Sequence, residues 1–241
     1  MVNEQILKML RGFTFNGIHN SDMGVVMNNM NIEFPSKKKI KESVPFMNGS
    51  YDFSTVGSFG EIVYEQRKIK IGIGIPSETK EKLQSMYSKI LEWIIDAGKQ
   101  KLIFDVIPDY YFLAEVEESG SLSQVMEYGE LSLTFVADPF KISVLNMGND
   151  IWDTFNFEED YAADTFFNIK GSNNIKLYNP GRPVKPVITS TSAFTMIYNG
   201  KTYRINTGVN KIYGLYLQNG ENDIKLTGTG NIRFDYNKEM L

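Results

Sequence analysis

Hydrophobic and polar positions alternate with a period of two along most of this chain, and one stretch switches to a period near 3.6. Residues 1–75 read as strands. Phe13-Thr14-Phe15 alternates and runs into Asn16-Gly17, two residues that tolerate positive φ and so signal a tight turn. Asn48-Gly49 repeats the signal. From residue 61 to 75, Ile62, Tyr64, Ile69, Ile71, Ile73 and Ile75 alternate with polar or small residues. Gly72 and Gly74 leave the opposite face bare, which predicts close approach of another backbone.

Residues 77–97 are the predicted helix. Ser77 is placed as N-cap, with Glu78 and Glu81 in the first turn, where the helix dipole favours acids. Leu83, Met86, Tyr87, Ile90, Leu91 and Ile94 form one apolar stripe, and Gly98 closes the helix. Strands follow at 101–104, 110–116 and 128–136, with Pro108-Asp109 turning the chain between the first two. Asp138-Pro139-Phe140 breaks the pattern, and the domain boundary is placed there, giving 1–139 and 140–241. From 141 onward no helical period appears. Eight short runs, at 166–169, 175–178, 184–190, 194–198, 201–205, 211–217, 223–226 and 232–236, predict an antiparallel sandwich or jelly roll. Asn199-Gly200 and Asn219-Gly220 are its hairpin signals.

Composition narrows the chemistry. A chain of 241 residues suggests one or two domains and buries roughly 70% of its surface on folding. The absence of cysteine excludes disulfides, thiolate metal sites and cysteine nucleophiles. The one histidine, His19 in Gly17-Ile18-His19-Asn20, lies among turn formers and reads as a turn or surface residue. A net charge of −4 offers no basic face for nucleic acid. Lys37, Lys38, Lys39 and Lys41, between Pro35 and Pro45, read as a solvated loop or the tip of an arm. No apolar run reaches the ~20 residues of a membrane span. Glu4 and Lys8 interrupt the first ten residues, so no signal peptide is expected. Gly72-Ile73-Gly74 lacks the lysine of a phosphate loop. No catalytic residue, metal or cofactor is predicted.

Charge is uneven. Residues 1–139 hold 14 Lys and Arg against 19 Asp and Glu, and the remainder holds 11 against 10. Six of those ten acids fall between Asp150 and Asp164, a segment expected to be solvated or partner-facing. It lacks the ligand order of a calcium loop. Glu158 and Asp164 could pair as glycosidase carboxylates, but a chain with 29 acids offers many such pairs. Trp152, Tyr178, Tyr213 and Tyr216 are the candidate aromatic faces for carbohydrate, against a plain core or interface role.

Several segments resemble, in order, the distal tail proteins of long-tailed siphophages. Phe15-Asn16-Gly17 with Ser21-Asp22-Met23-Gly24-Val25 resembles the opening of that family. Pro45 through Asn48-Gly49-Ser50-Tyr51-Asp52 is similar to the next segment, with Phe46 and Met47 inserted before the turn. Leu91-Glu92-Trp93-Ile94, then Pro108-Asp109-Tyr110-Tyr111, then Ala137-Asp138-Pro139-Phe140 continue the order. Asn179-Pro180-Gly181 and Gly220-Glu221-Asn222-Asp223-Ile224 resemble parts of the second domain.

The resemblance implies a mainly β protein with one principal α-helix. Its N-terminal domain would be β-barrel-like and ring-forming, and its C-terminal domain a galectin-like or carbohydrate-module-like β-sandwich. It implies a non-enzymatic hub, typically six copies, joining the tail tube to the baseplate or receptor-binding apparatus at the virion tail tip, assembled in the host bacterial cytoplasm. DNA would pass in transit through an acid-rich lumen that repels it, and no membrane insertion is implied. The strand at 232–236 would return to the first domain. The rival from another class is a carbohydrate-binding adhesion module acting through the sandwich.

Overall fold

The computed structural model describes residues 12–56, 61–125, 128–148 and 164–241. Two compact units are present, Met1–Lys141 with Leu241, and Ile142–Met240. The first holds β1 (Phe13–Phe15), β2 (Ile18–His19), β3 (Val26–Ile32), β4 (Lys41–Glu42), β5 (Tyr51–Asp52), β6 (Arg67–Pro76), α1 (Lys80–Ile94), β7 (Gln100–Phe104), β8 (Tyr110–Val125) and β9 (Tyr128–Ala137). Its main sheet runs β2-β1-β7-β8-β9-β6-β3, with antiparallel neighbours throughout.

That sheet curls. β1 and β9 stand three strands apart, about 14 Å on a flat sheet. Yet the Phe15 and Phe135 rings meet edge to face with centroids 5.2 Å apart. The concave face is therefore a closed apolar interior. Ile69, Ile71, Ile73 and Ile75 supply one wall and Phe13, Phe15, Leu102, Phe104 and Phe112 the other. Each such side chain contributes about 1.5–3 kcal/mol on burial.

α1 closes this interior, and its limits differ from those the sequence predicts. Thr79 is the N-cap, its hydroxyl accepting from the Lys82 amide at 3.2 Å. Ser77 instead donates its hydroxyl to the Thr79 carbonyl. The helix stops at Ile94 with Ile95 as C-cap, and Gly98, at φ +61°, lies three residues beyond the cap. Leu83, Ile90, Trp93 and Ile94 are the buried face, while Met86 and Tyr87 are only partly covered. Trp93, absent from the predicted stripe, stacks on Phe13 at 5.7 Å and donates its indole N–H to the Phe15 carbonyl at 3.0 Å.

Gly72 and Gly74 do make room, but for side chains. A Cβ at Gly72 would stand 2.7 Å from the Asn29 amide, and one at Gly74 would meet the Tyr128 hydroxyl, which hydrogen-bonds Asn28.

β10 (Lys141–Ser143) leads into the second unit, which holds β11 (Phe166–Asn179), β12 (Val187–Ser190), β13 (Phe194–Tyr198), β14 (Lys201–Ile205), β15 (Gly208–Lys211), β16 (Gly220–Asp235) and β17 (Glu239–Met240). Two long strands, β11 and β16, replace four predicted short ones and pair along their whole length, from Phe166 opposite Arg233 to Asn179 opposite Gly220. The other edge of β16 is shared. β13 pairs with residues 224–227 and β12 with residues 232–235. Between them the ribbon turns a corner at glycines. Gly171 lies opposite Gly228, and Gly171, Gly228 and Gly230 have φ of +79°, +155° and +145°. Side chains from both halves, Leu177, Met196 and Leu226 from one and Ile169, Ile188 and Phe234 from the other, fill one core. The sheet is thus folded over on itself into a sandwich.

Two expectations fail here. The strand at 232–236 does not return to the first domain. Ile232, Phe234 and Tyr236 are buried in the second core, and the backbone bonds of β16 are taken by β11 and β12. Residues 211–217 are not a strand either, because β15 ends at Lys211 and only Leu217 makes a bridge, to Val184.

Candidate assembly surface

Asn16 and Gly17, at φ +51° and +77°, form a two-residue hairpin that sets Phe15 opposite Ile18. The hairpin is pinned from behind by Asn20, which is 4% exposed. Its Oδ1 accepts from the Phe13 amide and its Nδ2 donates to the Val25 carbonyl, both at 2.8 Å. Asp22 and Gly24 lie in the tight turn that follows, where Gly24 takes φ +69°. His19 accepts from the Ser21 amide through Nδ1 at 3.2 Å, leaving Nε2–H for Asp105 at 3.3 Å. This chain ties the hairpin to the end of β7. The backbone amides of the adjoining turn are spent on Asn20, His19 and Ser21 carbonyls, so no pair of donors is left to hold an oxyanion.

After β3 the chain leaves the sheet as an arm and returns at β6. Residues 36–38 pair with 63–65 and residues 40–42 with 51–53. Asn48-Gly49 is not a two-residue turn. It belongs to an eight-residue connection between β4 and β5 that contains Pro45, Phe46 at φ +66° and Gly49 at φ +90°. Asp52, near the outer end, accepts from the Ser54 amide at 2.9 Å and from Lys39 at 3.2 Å. The Ser54 bonds, with Lys39 adding to them, hold its carboxyl down at about 2. Lys37, Lys38 and Lys41 are exposed along the outgoing leg.

The arm carries its apolar side chains outward. Phe34 is 95% exposed, Val56 is 74%, and Phe46 is fully exposed, with Ile40, Val44, Tyr51, Phe53 and Ile62 all above 40%. Runs of exposed apolar residues mark interaction surfaces. Beside the arm, β3 ends the sheet and, among the described residues, is bonded on one side, to β6. An open edge is a template for pairing with another chain.

Pro108 and Asp109 form the turn from β7 into β8. Pro139 offers its carbonyl to Arg67, and Phe140 meets the Tyr64 ring edge to face at 5.8 Å, at the base of the arm. In the second unit the structure brings together the two segments that resemble the family there. Asn179 lies opposite Gly220, and Leu177 opposite Asn222. Tyr213 is 97% exposed, Tyr216 lies under the Lys185 ammonium at 5.0 Å, and Tyr178 is half-buried, its carbonyl accepting from Tyr236. Trp152 and the acidic stretch of 150–163 lie outside the described residues. Among the described residues no acid or histidine cluster could hold a metal, and no helix is long and apolar enough to cross a membrane.

Residues 14–137, more than half of the chain, match the family of the phage tail protein RIFT-related domain. The chain belongs to this family. The matched span runs from β1 to the end of β9 and includes the whole arm, so the candidate surface lies inside the tail domain. The fold is also that of the Dit protein (gp 19.1) of SPP1, whose crystal structure is described as a paradigm of hub adsorption apparatus in phages that infect Gram-positive bacteria. That likeness has a TM-score of 0.64 at 12% identity and covers 95% of this chain and 99% of the SPP1 protein. No curated protein sequence matches the chain.

Sequence reasoning missed four residues of this tail protein: Asn20, Trp93, Arg67 and Phe46. Asn20 acts through two bonds, to the Phe13 amide and the Val25 carbonyl, and Trp93 through one to the distant Phe15 carbonyl, and periodicity encodes none of them. Phe46, read only as an insertion before the turn, is wholly solvent-facing. Arg67 opens the isoleucine ladder of β6, and its place in the alternation was the available signal.

Proposed function

We propose that this phage tail protein is a distal-tail subunit that closes into a ring, six copies in the reading favoured by family resemblance, and joins the tail tube to the baseplate or receptor-binding apparatus. The observation that carries the proposal is the arm. A lone chain that exposes Phe34, Ile40, Val44, Phe46 and Phe53 beside a strand edge that no other described residue pairs leaves apolar surface and backbone donors unused. Ring closure would cover both, with each arm and edge meeting the next copy. Correspondence with the SPP1 hub protein over nearly the full length of both chains supports the same role. The acid excess of residues 1–139 suits a channel through which DNA moves without adhering.

The test is electron microscopy of the purified protein beside a Phe34→Asp, Phe46→Asp double variant. Closed rings from the wild type and dispersed subunits from the folded variant are expected. Rings that persist in the variant would remove the arm from the assembly, and a wild type that never forms rings would overturn the proposal.

A further inference from the structure

Four Asn-Gly pairs stand in this chain, at 16–17, 48–49, 199–200 and 219–220. The pair is chemically labile, because glycine has no side chain to keep its amide nitrogen away from the carboxamide carbon of the asparagine before it. Three of the four are held. Asn16-Gly17 and Asn199-Gly200 are two-residue hairpin loops whose strands pair directly on either side, Phe15 with Ile18 and Tyr198 with Lys201, and both residues of each loop are fixed at positive φ. Asn219 donates its side-chain amide to the Pro180 and Gly181 carbonyls at 3.2 and 2.7 Å, and Gly220 is the register partner of Asn179 in the long ribbon.

Asn48-Gly49 lacks every such restraint. It lies in the connection between β4 and β5 on the arm, and both residues are exposed. Among the described residues no hydrogen bond holds the Asn48 side chain or the Gly49 amide. Gly49 sits at φ +90° with no atom within 4 Å of where a Cβ would stand. We propose that Asn48 is a self-modification site, converting in the free subunit to aspartate and isoaspartate. The Gly49 nitrogen loses its proton to solvent and forms a bond to the side-chain carbonyl carbon of Asn48. The bond from that carbon to the amide nitrogen breaks and ammonia leaves. Water then opens the cyclic imide at one carbonyl or the other, so that the main chain runs through the original carbonyl or through the side chain. Nothing is oxidised or reduced. Either product puts a carboxylate where a neutral amide stood, two residues from the wholly exposed Phe46. On the ring reading that charge would have to leave water at the joint between copies, so an aged subunit would assemble less readily. This consequence rests on the ring reading, whereas the modification itself does not.

The test holds the purified full chain in mildly alkaline buffer and follows it by peptide mapping with mass spectrometry, beside Asn48→Gln, whose longer side chain closes the imide far more slowly. Asn48 is expected to convert first, roughly tenfold or more faster than Asn16, Asn199 and Asn219, which must wait for a hairpin or ribbon to open locally. The rate should rise with pH, because the attacking nitrogen must lose its proton, and the arm peptide of Asn48→Gln should stay unmodified. An Asn48 that persists while any of the other three converts, or four pairs that convert at one rate, would overturn the site. Sedimentation velocity of Asn48→Asp beside the wild type tests the consequence, with self-association weakened roughly tenfold expected. Undiminished assembly would overturn the consequence and leave the site standing. A wild type that never assembles would overturn the ring reading and the consequence together, and the peptide map would still decide the site.

Discussion

Asn222 is the residue on which the second unit's stability should depend most sharply. It is 2% exposed and occupied on both sides of its amide. Oδ1 accepts from the Gln218 amide at 2.7 Å and from the Tyr198 hydroxyl. Nδ2 donates to the Gln218 and Gly220 carbonyls, each at 2.9 Å. These bonds hold the connection into β16 against the Tyr198 end of β13. Asn222→Ala strands the Gln218 amide and the Tyr198 hydroxyl, at about 1–3 kcal/mol for each buried donor left unmade. The Gln218 amide has a second acceptor in the Tyr198 oxygen at 3.3 Å, which recovers part of that cost. A loss of roughly 3 kcal/mol follows, a large share of the ~5–15 kcal/mol that keeps a domain folded. For a unit of this size it corresponds to a fall of roughly 12–24 °C in its melting temperature. Calorimetry of the full chain, with the far-UV signal of α1 marking the first unit, would separate the two transitions. Hydrogen exchange at the β11 and β16 amides would localise the loss. Asn222→Asp, which keeps the acceptor but loses both donors and buries a charge, should be destabilised at least as much at neutral pH. A loss under about 1 kcal/mol for Asn222→Ala would refute the assignment of the network as the fastening of this end of the sandwich.

Other expectations are equally direct. Trp93→Phe keeps a ring against Phe13 but abandons the Phe15 carbonyl, and should cost about 1–3 kcal/mol in urea unfolding of the first unit; wild-type stability would show the bond to be idle. Gly228→Ala puts a Cβ 2.5 Å from the Phe194 ring and 2.9 Å from the Ala193 carbonyl at φ +155°, so a destabilisation of roughly 2–4 kcal/mol is expected at the sandwich corner. A soluble variant with unchanged exchange at the corner would contradict it. Asp52 has its folded pKa depressed from 3.8 to about 2, so its hold on the arm is complete above pH 3.8 and disappears as pH falls through about 2. Carbon-detected titration of its carboxyl should give a midpoint near 2, and a midpoint near 4 would break the argument.

The parts of the fold written in local periodicity are those the sequence shows. The Ile69–Ile75 alternation, the 3.6-residue stripe of Leu83, Ile90 and Ile94, and the positive-φ pairs Asn16-Gly17 and Asn199-Gly200 each become the element their spacing predicts. The misses occur where a distant partner decides. Asn173-Asn174, flanked by Gly171, reads as a break between strands. β16 nevertheless holds it in one continuous strand, because both bend together where Gly171 faces Gly228. Residues 232–236 are ambiguous for the same reason, since an alternating strand carries no mark of which sheet it joins. Asn48-Gly49 and Asn219-Gly220 carry the right residues for a tight hairpin, yet only the glycine of each pair takes positive φ. The arm is legible in part. Lys37, Lys38, Lys39 and Lys41 read as solvated or as the tip of an arm and are exposed, whereas nothing local marks Phe34, Phe46 and Phe53 as solvent-facing.

Absolute mass in solution, by light scattering behind size exclusion across a concentration series, tests the central proposal most directly. Six copies of a 27.5 kDa chain should appear as a particle of about 165 kDa that dissociates on dilution. A particle of 27.5 kDa at every concentration would contradict the ring.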